Sequence, residues 1–258
     1  MTSWAELRAE LDRWAPDGVT LWWRDDDAVS PGPELRTLLS CASGAPIALA
    51  VVPARLDAGL AHALDGSNVL VMQHGYSHAN HAPPESAKME LGAHRPYSHT
   101  LGDLATGWAR LEAVFGARAR PILVPPWNRI APALVPFLPE IGYRGLSTFG
   151  ARRRAETIRG FMQINTHVDI VDWRGTRGFV GEEQALGALV GHLAARRTAA
   201  AEKGEPTGLL THHLIHDEAA WAFLARLCEE TRSHPSARWL DADEAFRPGI
   251  GAKTGAPN

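Results

Sequence analysis

Residues 21–28 read Leu21-Trp22-Trp23-Arg24-Asp25-Asp26-Asp27-Ala28, an apolar and aromatic run that ends in three consecutive carboxylates. Adjacent aspartates repel one another and are poor strand formers, so the formation of a buried strand does not account for them. A cation bound at the end of the strand would account for them, because it favours the charged carboxylates. A solvated acidic turn is the ordinary interpretation of such a triplet. It is weakened here by two downstream histidines, in Gln73-His74-Gly75-Tyr76-Ser77-His78.

Apolar runs that suit strands alternate with helical patterns along the rest of the chain. This alternation is typical of βαβ units and a parallel sheet. A first helix begins at Ser3, with Glu6 in position for a capping box. The predicted strands are residues 19–24, 46–52, 68–72, 121–124, 143–148, 163–171 and 208–211. The predicted helices after the first are residues 33–39, 56–64, 101–115, 132–141, 182–203 and 218–232.

Length and charge narrow the kinds of partner. A chain of 258 residues suits one β/α barrel, which we expect over residues 1–247, and residues 248–258 are predicted to be a disordered tail. With 26 basic and 29 acidic side chains the net charge is −3, which gives no basis for binding nucleic acid or an anionic membrane. Two cysteines are too few for a disulfide scaffold. The chain shows no signal peptide pattern and no long apolar run, so we expect a cytoplasmic protein with a small-molecule partner.

The histidines and the aspartate triplet follow different strands but should meet. His74 and His78 come directly after the third predicted strand, and parallel strands end at one edge of a sheet, where barrel enzymes place their sites. Histidines four residues apart, joined by a carboxylate from another strand, form an open tripod for a divalent metal. Residues 79–99, rich in proline and histidine, form a long connection that we expect to wall the site.

Five motifs now stand in order along the chain: Asp26-Asp27-Ala28, His74-Gly75-Tyr76-Ser77-His78, Val124-Pro125-Pro126-Trp127, Asp169-Ile170-Val171-Asp172-Trp173 and Leu210-Thr211-His212. Together they resemble the motifs of the polysaccharide deacetylases, carbohydrate esterase family 4, also called the NodB-homology domain. The resemblance covers most of the chain. A single motif of this kind is weak, but five in order are specific.

The sequence departs from the family pattern at two places. Gly75 replaces the hydroxyl residue of the second motif. In the third motif, Val124 or Leu123 stands where the family has arginine. Arg24 and Arg129 are the two candidates for taking over the role of that arginine.

The resemblance implies a fold, a metal and a mechanism. The fold would be a distorted (β/α) barrel, and the metal, most often zinc in the family, would be held by Asp27, His74 and His78. Asp26 would be the general base and His212 the general acid in the removal of an N-linked acetyl group from an amino sugar. The residues implied on the substrate and oxyanion side are Trp127, Pro126 and Arg129. The supporting residues implied by the motifs are Asp169, Asp172, Trp173 and Arg24.

Some alternatives stay open at this stage. Asp25 is the base if the motif is read one residue earlier, although strand alternation places Asp25 and Asp26 on opposite faces. His213 and His216 compete with His212 as the acid. A non-catalytic saccharide-binding module would also keep such a pocket. A metal-free glycosidase is disfavoured because neighbouring carboxylates cannot flank a glycosidic bond.

Overall fold

A ten-stranded sheet forms the centre of the molecule in the computed structural model, which describes residues 2–247. The strands are β1 (Val19–Ala28), β2 (Ile47–Val51), β3 (Val69–His74), β4 (Ala119–Val124), β5 (Gly145–Leu146), β6 (Glu156–Ile158), β7 (Phe161–Gln163), β8 (Val168–Asp169), β9 (Thr207–Thr211) and β10 (Ala237–Leu240). Their order is β6-β7-β5-β4-β3-β2-β1-β9-β8, and β10 also pairs with β1. Of these pairs, β6 with β7 is antiparallel and the others are parallel. The sheet is curled, so the predicted distorted (β/α) barrel is confirmed.

Seven α-helices accompany the strands within the described residues: α1 (Trp4–Asp12), α2 (Pro33–Ala42), α3 (Gly59–Ala63), α4 (Tyr97–Phe115), α5 (Glu182–Arg197), α6 (Glu218–Arg232) and α7 (Ala242–Ala245). The predicted capping box of α1 is present, because the Ser3 side chain accepts from the Glu6 N–H while the Glu6 side chain accepts from the Ser3 N–H. No helix within residues 2–247 combines the length and the apolar character needed to cross a bilayer.

Strand β1 lies at the middle of the sheet and has three partners. Its first half pairs with β10, its second half pairs with β2, and β9 runs along its other edge. Its two tryptophans point to opposite faces: Trp22 packs in one hydrophobic cluster with Met72, and Trp23 packs in another with the helices. Both indole N–H groups are satisfied, by Asn165 O at 3.0 Å and by Thr211 Oγ1 at 2.8 Å. The buried aromatic run of β1 thus anchors both faces of the sheet.

Several predicted elements differ from the observed ones. The helix predicted over 132–141 is wrong: Pro136 interrupts it, and the chain forms two 3₁₀ helices, Pro132–Phe137 and Pro139–Ile141. The single strand predicted over 163–171 is two short strands, β7 and β8. The helix predicted over 56–64 is only α3, and α5 ends six residues earlier than predicted, at Arg197 instead of residue 203. Strands β6 and β10 and helix α7 were not predicted, and the tail predicted for 248–258 lies outside the described residues.

Candidate metal centre

The three aspartates of β1 lie in different surroundings. Alternation along the strand sends Asp25 to one face and Asp26 to the other, as predicted. Asp27 then has a positive φ of 71°, and the pairing of β1 with β2 shifts register between Asp25 and Ala28. Because of this irregularity, the Asp27 side chain does not follow the alternation of side chains along β1. The three neighbouring carboxylates can therefore have different contacts.

Asp27, His74 and His78 come together at the carboxyl edge of the sheet. The Nε2 atoms of His74 and of His78 each lie 3.2 Å from Asp27 Oδ1. Each residue presents a ligand atom within 4.8 Å of the others, a spacing at which they could hold one metal ion. The side chain of His74 is 2% exposed, whereas that of Asp27 is 36% exposed, so the site opens to solvent on one side. The predicted tripod is thus assembled with an open position.

Backbone geometry selects which imidazole nitrogens face the tripod. His74 Nδ1 lies 3.1 Å from the carbonyl oxygen of Val124, at the end of the neighbouring strand β4. A proton on Nδ1 donates to that carbonyl and leaves the Nε2 lone pair for a metal. His78 is delivered by a tight turn in which Gly75 has φ 54° and His78 itself has φ 58°.

The pKa values of the three side chains are shifted in different directions by burial and by neighbouring charges. Burial acts to raise the pKa of Asp27, but the hydrogen bond from His74 and the charges of the nearby histidines outweigh it and lower the pKa. Burial acts to lower the pKa of His74, and the charges of Asp26 and Asp27 outweigh it and raise the pKa. The pKa of His78 is lowered by burial and by the charge of His74. The carboxylate therefore stays ionised and supports one positive charge beside it.

Asp26 is held by Arg24 of the same strand. Arg24 Nε lies 2.9 Å from Asp26 Oδ1 and Nη2 lies 3.0 Å from Oδ2, a two-pronged ion pair with Arg24 fully buried. The guanidinium also donates to Ser147 Oγ and Asn128 Oδ1, both at 2.6 Å. Arg129 is exposed and donates to the carbonyl oxygen of Lys88 at 3.1 Å. Of the two candidate arginines, Arg24 is the one that contacts Asp26.

Trp127 lies on the turn after β4, next to the metal ligands. Its backbone is left-handed, with φ 55°, and its ring centroid is 4.4 Å from that of His78 in an edge-to-face contact. Lys88 Nζ lies 5.9 Å from the indole centroid. Pro126 is buried beneath the turn. The Trp127 turn and Lys88 of the long loop therefore lie together beside His78.

His212 follows β9, which lies on the other side of β1 from β3 and β4 in the sheet, and its ring contacts Trp173. The two ring centroids are 4.7 Å apart, edge to face, and the Trp173 Nε1–H donates to Asp169 Oδ2 at 2.8 Å. His212 Nδ1 is buried with no hydrogen-bond partner within residues 2–247. Burial raises the pKa of Asp169, and the charge of His212 acts in the other direction. Asp172 instead accepts from backbone N–H groups of its own turn, so its contacts within the described chain are local.

The alternatives His213 and Asp25 form a buried pair of their own. Asp25 Oδ1 contacts His213 Nδ1, and Asp25 Oδ2 accepts from the Thr211 hydroxyl at 2.6 Å and from the His213 N–H at 3.1 Å. His216 Nε2 accepts from the His212 N–H at 3.2 Å. Asp25 and His213 therefore form a buried pair on the face of β1 away from Asp26.

Three residues at the site were not predicted from the sequence. Asn128 and Ser147 hold Arg24, and Glu90, from the long loop, accepts from the backbone of the turn between His74 and His78. Asn128 adjoins the third motif, which was a local signal. No local sequence pattern points to Ser147 or Glu90, because only the fold brings them to the site.

Comparisons with known proteins give matches at the level of structure. No family profile matches the sequence, and no curated protein matches it. A family 4 carbohydrate esterase from Streptomyces lividans, in complex with acetate, superposes with a TM-score of 0.56 at 13% identity over 87% of this chain and 92% of that one. A family 4 acetyl xylan esterase from Clostridium thermocellum, in complex with a cobalt ion, gives 0.51 at 14% identity over 88% and 90%. A peptidoglycan deacetylase from Bacillus subtilis gives 0.53 at 14% identity over 89% and 91%.

Sheet order and site geometry together define a distorted (β/α) barrel with an aspartate and two histidines gathered at its carboxyl edge. The fold is that of the carbohydrate esterase family 4 polysaccharide deacetylases, as the five motifs predicted. The sequence identities to the three structures are low, at 13–14%.

Proposed function

We propose that the protein is a metal-dependent hydrolase that removes an acetyl group from the amide nitrogen of an amino sugar in a small saccharide or oligosaccharide. The observation that carries the proposal is that Asp27, His74 and His78 lie together as possible metal ligands, while the neighbouring carboxylate of Asp26 is bonded to Arg24 and lies outside this cluster. Solved structures of the same fold support it, since one is a peptidoglycan deacetylase, one holds acetate and one holds cobalt.

The donor set fits a divalent ion. Two imidazole nitrogens and one carboxylate oxygen suit zinc, and the exposed side of Asp27 leaves room for water and substrate. When bound, such an ion would supply Lewis-acid polarisation of the acetamide carbonyl and would make a water molecule more acidic. The contact of His74 Nδ1 with Val124 O fixes the ring orientation that this ligation needs.

Asp26 is the proposed general base. Arg24 bonds to both of its oxygens and so fixes the plane of the carboxylate, while each oxygen keeps lone pairs for a water proton. Three further bonds, to Ser147, Asn128 and the Thr148 carbonyl, hold the guanidinium in place. A base that is fixed in this way needs little reorganisation before it accepts a proton.

The Trp127 turn is the proposed oxyanion side. The N–H groups of Asn128 and Arg129 donate to the carbonyls of Pro125 and Pro126, at 2.9 and 3.2 Å, and proline has no N–H. The Trp127 N–H is therefore the proposed donor to the negative charge that develops on the acyl oxygen. The indole, beside His78, is proposed to orient the sugar ring.

His212 is the proposed general acid. Trp173 fixes its ring by an edge contact, and its Nδ1 makes no hydrogen bond within the described chain, so the ring is not committed to a structural bond there. Asp169 lies next to this pair and is electrostatically coupled to His212. The imidazole is proposed to hold a proton and to donate it to the leaving amine.

The non-catalytic alternative loses its main support. It rested on the absence of the third-motif arginine, but Arg24 places a guanidinium on Asp26 from within the same strand. The contact of Arg24 with Asp26 thus supports the catalytic proposal over the non-catalytic one.

Acetate release tests the proposal. The purified protein with added zinc is incubated with N-acetylated oligosaccharides and nucleotide sugars, and free acetate is measured. We expect release by the wild type and none above background by His78→Ala. Saccharide binding without acetate release would favour the non-catalytic module instead.

A further inference from the structure

Glu90 is a buried carboxylate in the long loop between β3 and α4, and only 3% of its surface is exposed. Its Oε1 accepts from the Ser77 N–H at 2.8 Å and from the Ser77 hydroxyl at 2.9 Å, and its Oε2 accepts from the Tyr76 N–H at 3.2 Å. These donors belong to the turn that separates His74 from His78. One side chain from another segment therefore bonds to the middle of the metal-binding turn.

The turn is built around this carboxylate. A Cβ atom at Gly75 would lie 2.0 Å from Glu90 Oε2 and 2.6 Å from Pro126 Cγ, both well inside contact distance. The φ of 54° at Gly75 also favours glycine. The space that a side chain would take at residue 75 is thus occupied by Glu90, and the departure from the second motif at Gly75 has a partner in the loop.

The carboxylate of Glu90 has no salt-bridge partner in the part of the chain that the structure describes. Within residues 2–247 no Lys, Arg or His forms a salt bridge with it. Hydrogen bonds from neutral N–H and O–H groups satisfy its oxygens, but an uncompensated buried charge is costly. Its charge acts on His78, one of the proposed ligands. A divalent ion held by His74 and His78 would offset that cost.

We propose that Glu90 is a positioning residue, which holds the turn between His74 and His78 in its metal-binding conformation. The inference rests on the proposed metal site. The long loop would then hold the metal ligands in position as well as cover the cleft. The hydrogen bonds that Glu90 accepts from Tyr76 and Ser77 are called the clamp. Loss of the clamp would let His78, which has a positive φ, relax away from Asp27.

Zinc affinity tests the coupling to the metal. Zinc is titrated against a competing chelator for the wild type, Glu90→Gln and the control Glu85→Gln. The control removes the same charge from the same loop, at an exposed position. The amide of Gln presents N–H groups toward backbone N–H donors, so we expect a zinc affinity lower by about 10- to 100-fold, as for other residues that orient ligands. Glu85→Gln should bind zinc like the wild type. Equal affinities for Glu90→Gln and the wild type would overturn the inference.

Amide hydrogen exchange of the metal-free protein tests the clamp without zinc. We expect the Tyr76 and Ser77 amides to exchange faster in Glu90→Gln than in the wild type or in Glu85→Gln. Unchanged protection would overturn the clamp even if zinc binding fell. If the wild type bound no zinc, the proposed function and the metal half of this inference would both fail, while faster exchange would still establish the clamp.

Discussion

At the scale of single residues, three adjacent carboxylates have three different environments. Asp25 is bonded to His213 and Thr211, Asp26 to Arg24, and Asp27 to the two histidines of the tripod. Strand alternation separates the first two, and a positive φ separates the third. Three consecutive residues of β1 therefore supply one member of a buried ion pair, the proposed base and a proposed metal ligand.

Substitution of each aspartate should separate these roles. Asp26→Asn keeps the size of the side chain but cannot accept the water proton, so we expect zinc to remain bound and turnover to fall by ~10²–10⁴. Asp27→Ala should lose zinc and activity together. Zinc content and acetate release of the purified variants measure both effects.

Asp25→Asn serves as the control for the reading of the motif. It breaks a buried pair with His213, so we expect a loss of unfolding free energy of about 3–5 kcal/mol in urea denaturation. If Asp25→Asn were fully stable and inactive with zinc retained, then Asp25 would be the base and the motif would begin one residue earlier.

Gly75→Ala is a second test at this scale. The added Cβ would meet Glu90 Oε2 and Pro126, so the turn must shift. We expect weaker zinc binding together with a lower melting temperature, both read in one thermal unfolding series with and without zinc. Gly66, which also has a positive φ but has no atom within 4 Å of an added Cβ, gives the matched control Gly66→Ala.

At the scale of elements, the turn after β4 combines a rigid backbone with a partly exposed indole, as the proposed binding role requires. Two prolines precede Trp127, and the indole contacts His78 while part of it stays exposed. Rigid presentation leaves little entropy to lose when a sugar binds.

Trp127→Ala should therefore impair substrate use more than folding. We expect KM for an N-acetylated oligosaccharide to rise by about tenfold, with a change in unfolding free energy below about 1 kcal/mol. Trp22→Ala is the comparison, because Trp22 is fully buried and its truncation should cost about 3–5 kcal/mol. A Trp127→Ala protein that unfolds like Trp22→Ala would place this indole in the core.

Sequence reasoning reached those features that repeat locally. The succession of most strands and helices along the chain followed from their alternation. The grouping of Asp27, His74 and His78 at one edge of the sheet followed from the position of the two histidines after a strand and from the motifs. The pairing of Arg24 with Asp26 could have been predicted as well, because residues two apart on a strand share a face. Glu90 and Ser147 were out of reach, since contacts across the fold leave no local pattern. Strands as short as β5 and β8 were also misjudged, because their length is set by tertiary packing.

At the scale of the whole molecule, stability should fall in acid because of a histidine pair far along the chain from the tripod. His167 and His192 stack with ring centroids 3.7 Å apart, and His192 Nδ1 lies 2.9 Å from Thr207 Oγ1. Burial, then the charges of His167 and Arg196, lowers the pKa of His192 from 6.5 to about 3.

The sign of the pH dependence follows from proton uptake. Below pH 6.5 the unfolded chain protonates residue 192, while the folded protein does not until about pH 3, so stability is lost as the pH falls through this window. The contribution is at most about 1.4 kcal/mol per pH unit. His192→Gln should flatten the dependence of unfolding free energy on pH, whereas His99→Gln, at an exposed position, should leave it unchanged. Parallel curves for His192→Gln and the wild type would contradict this assignment.

The three partners of β1 also govern how the chain can fold during its synthesis. Strand β1 emerges from the ribosome early, but β9 and β10, which flank it, emerge only near the end. Until then residues 19–25 of β1 lack their pairing with these two strands, and pairings between distant parts of a chain form slowly. The acidic triplet of a nascent chain is therefore made long before β9 can pair with β1, and the proposed site can form only after β9 has been made.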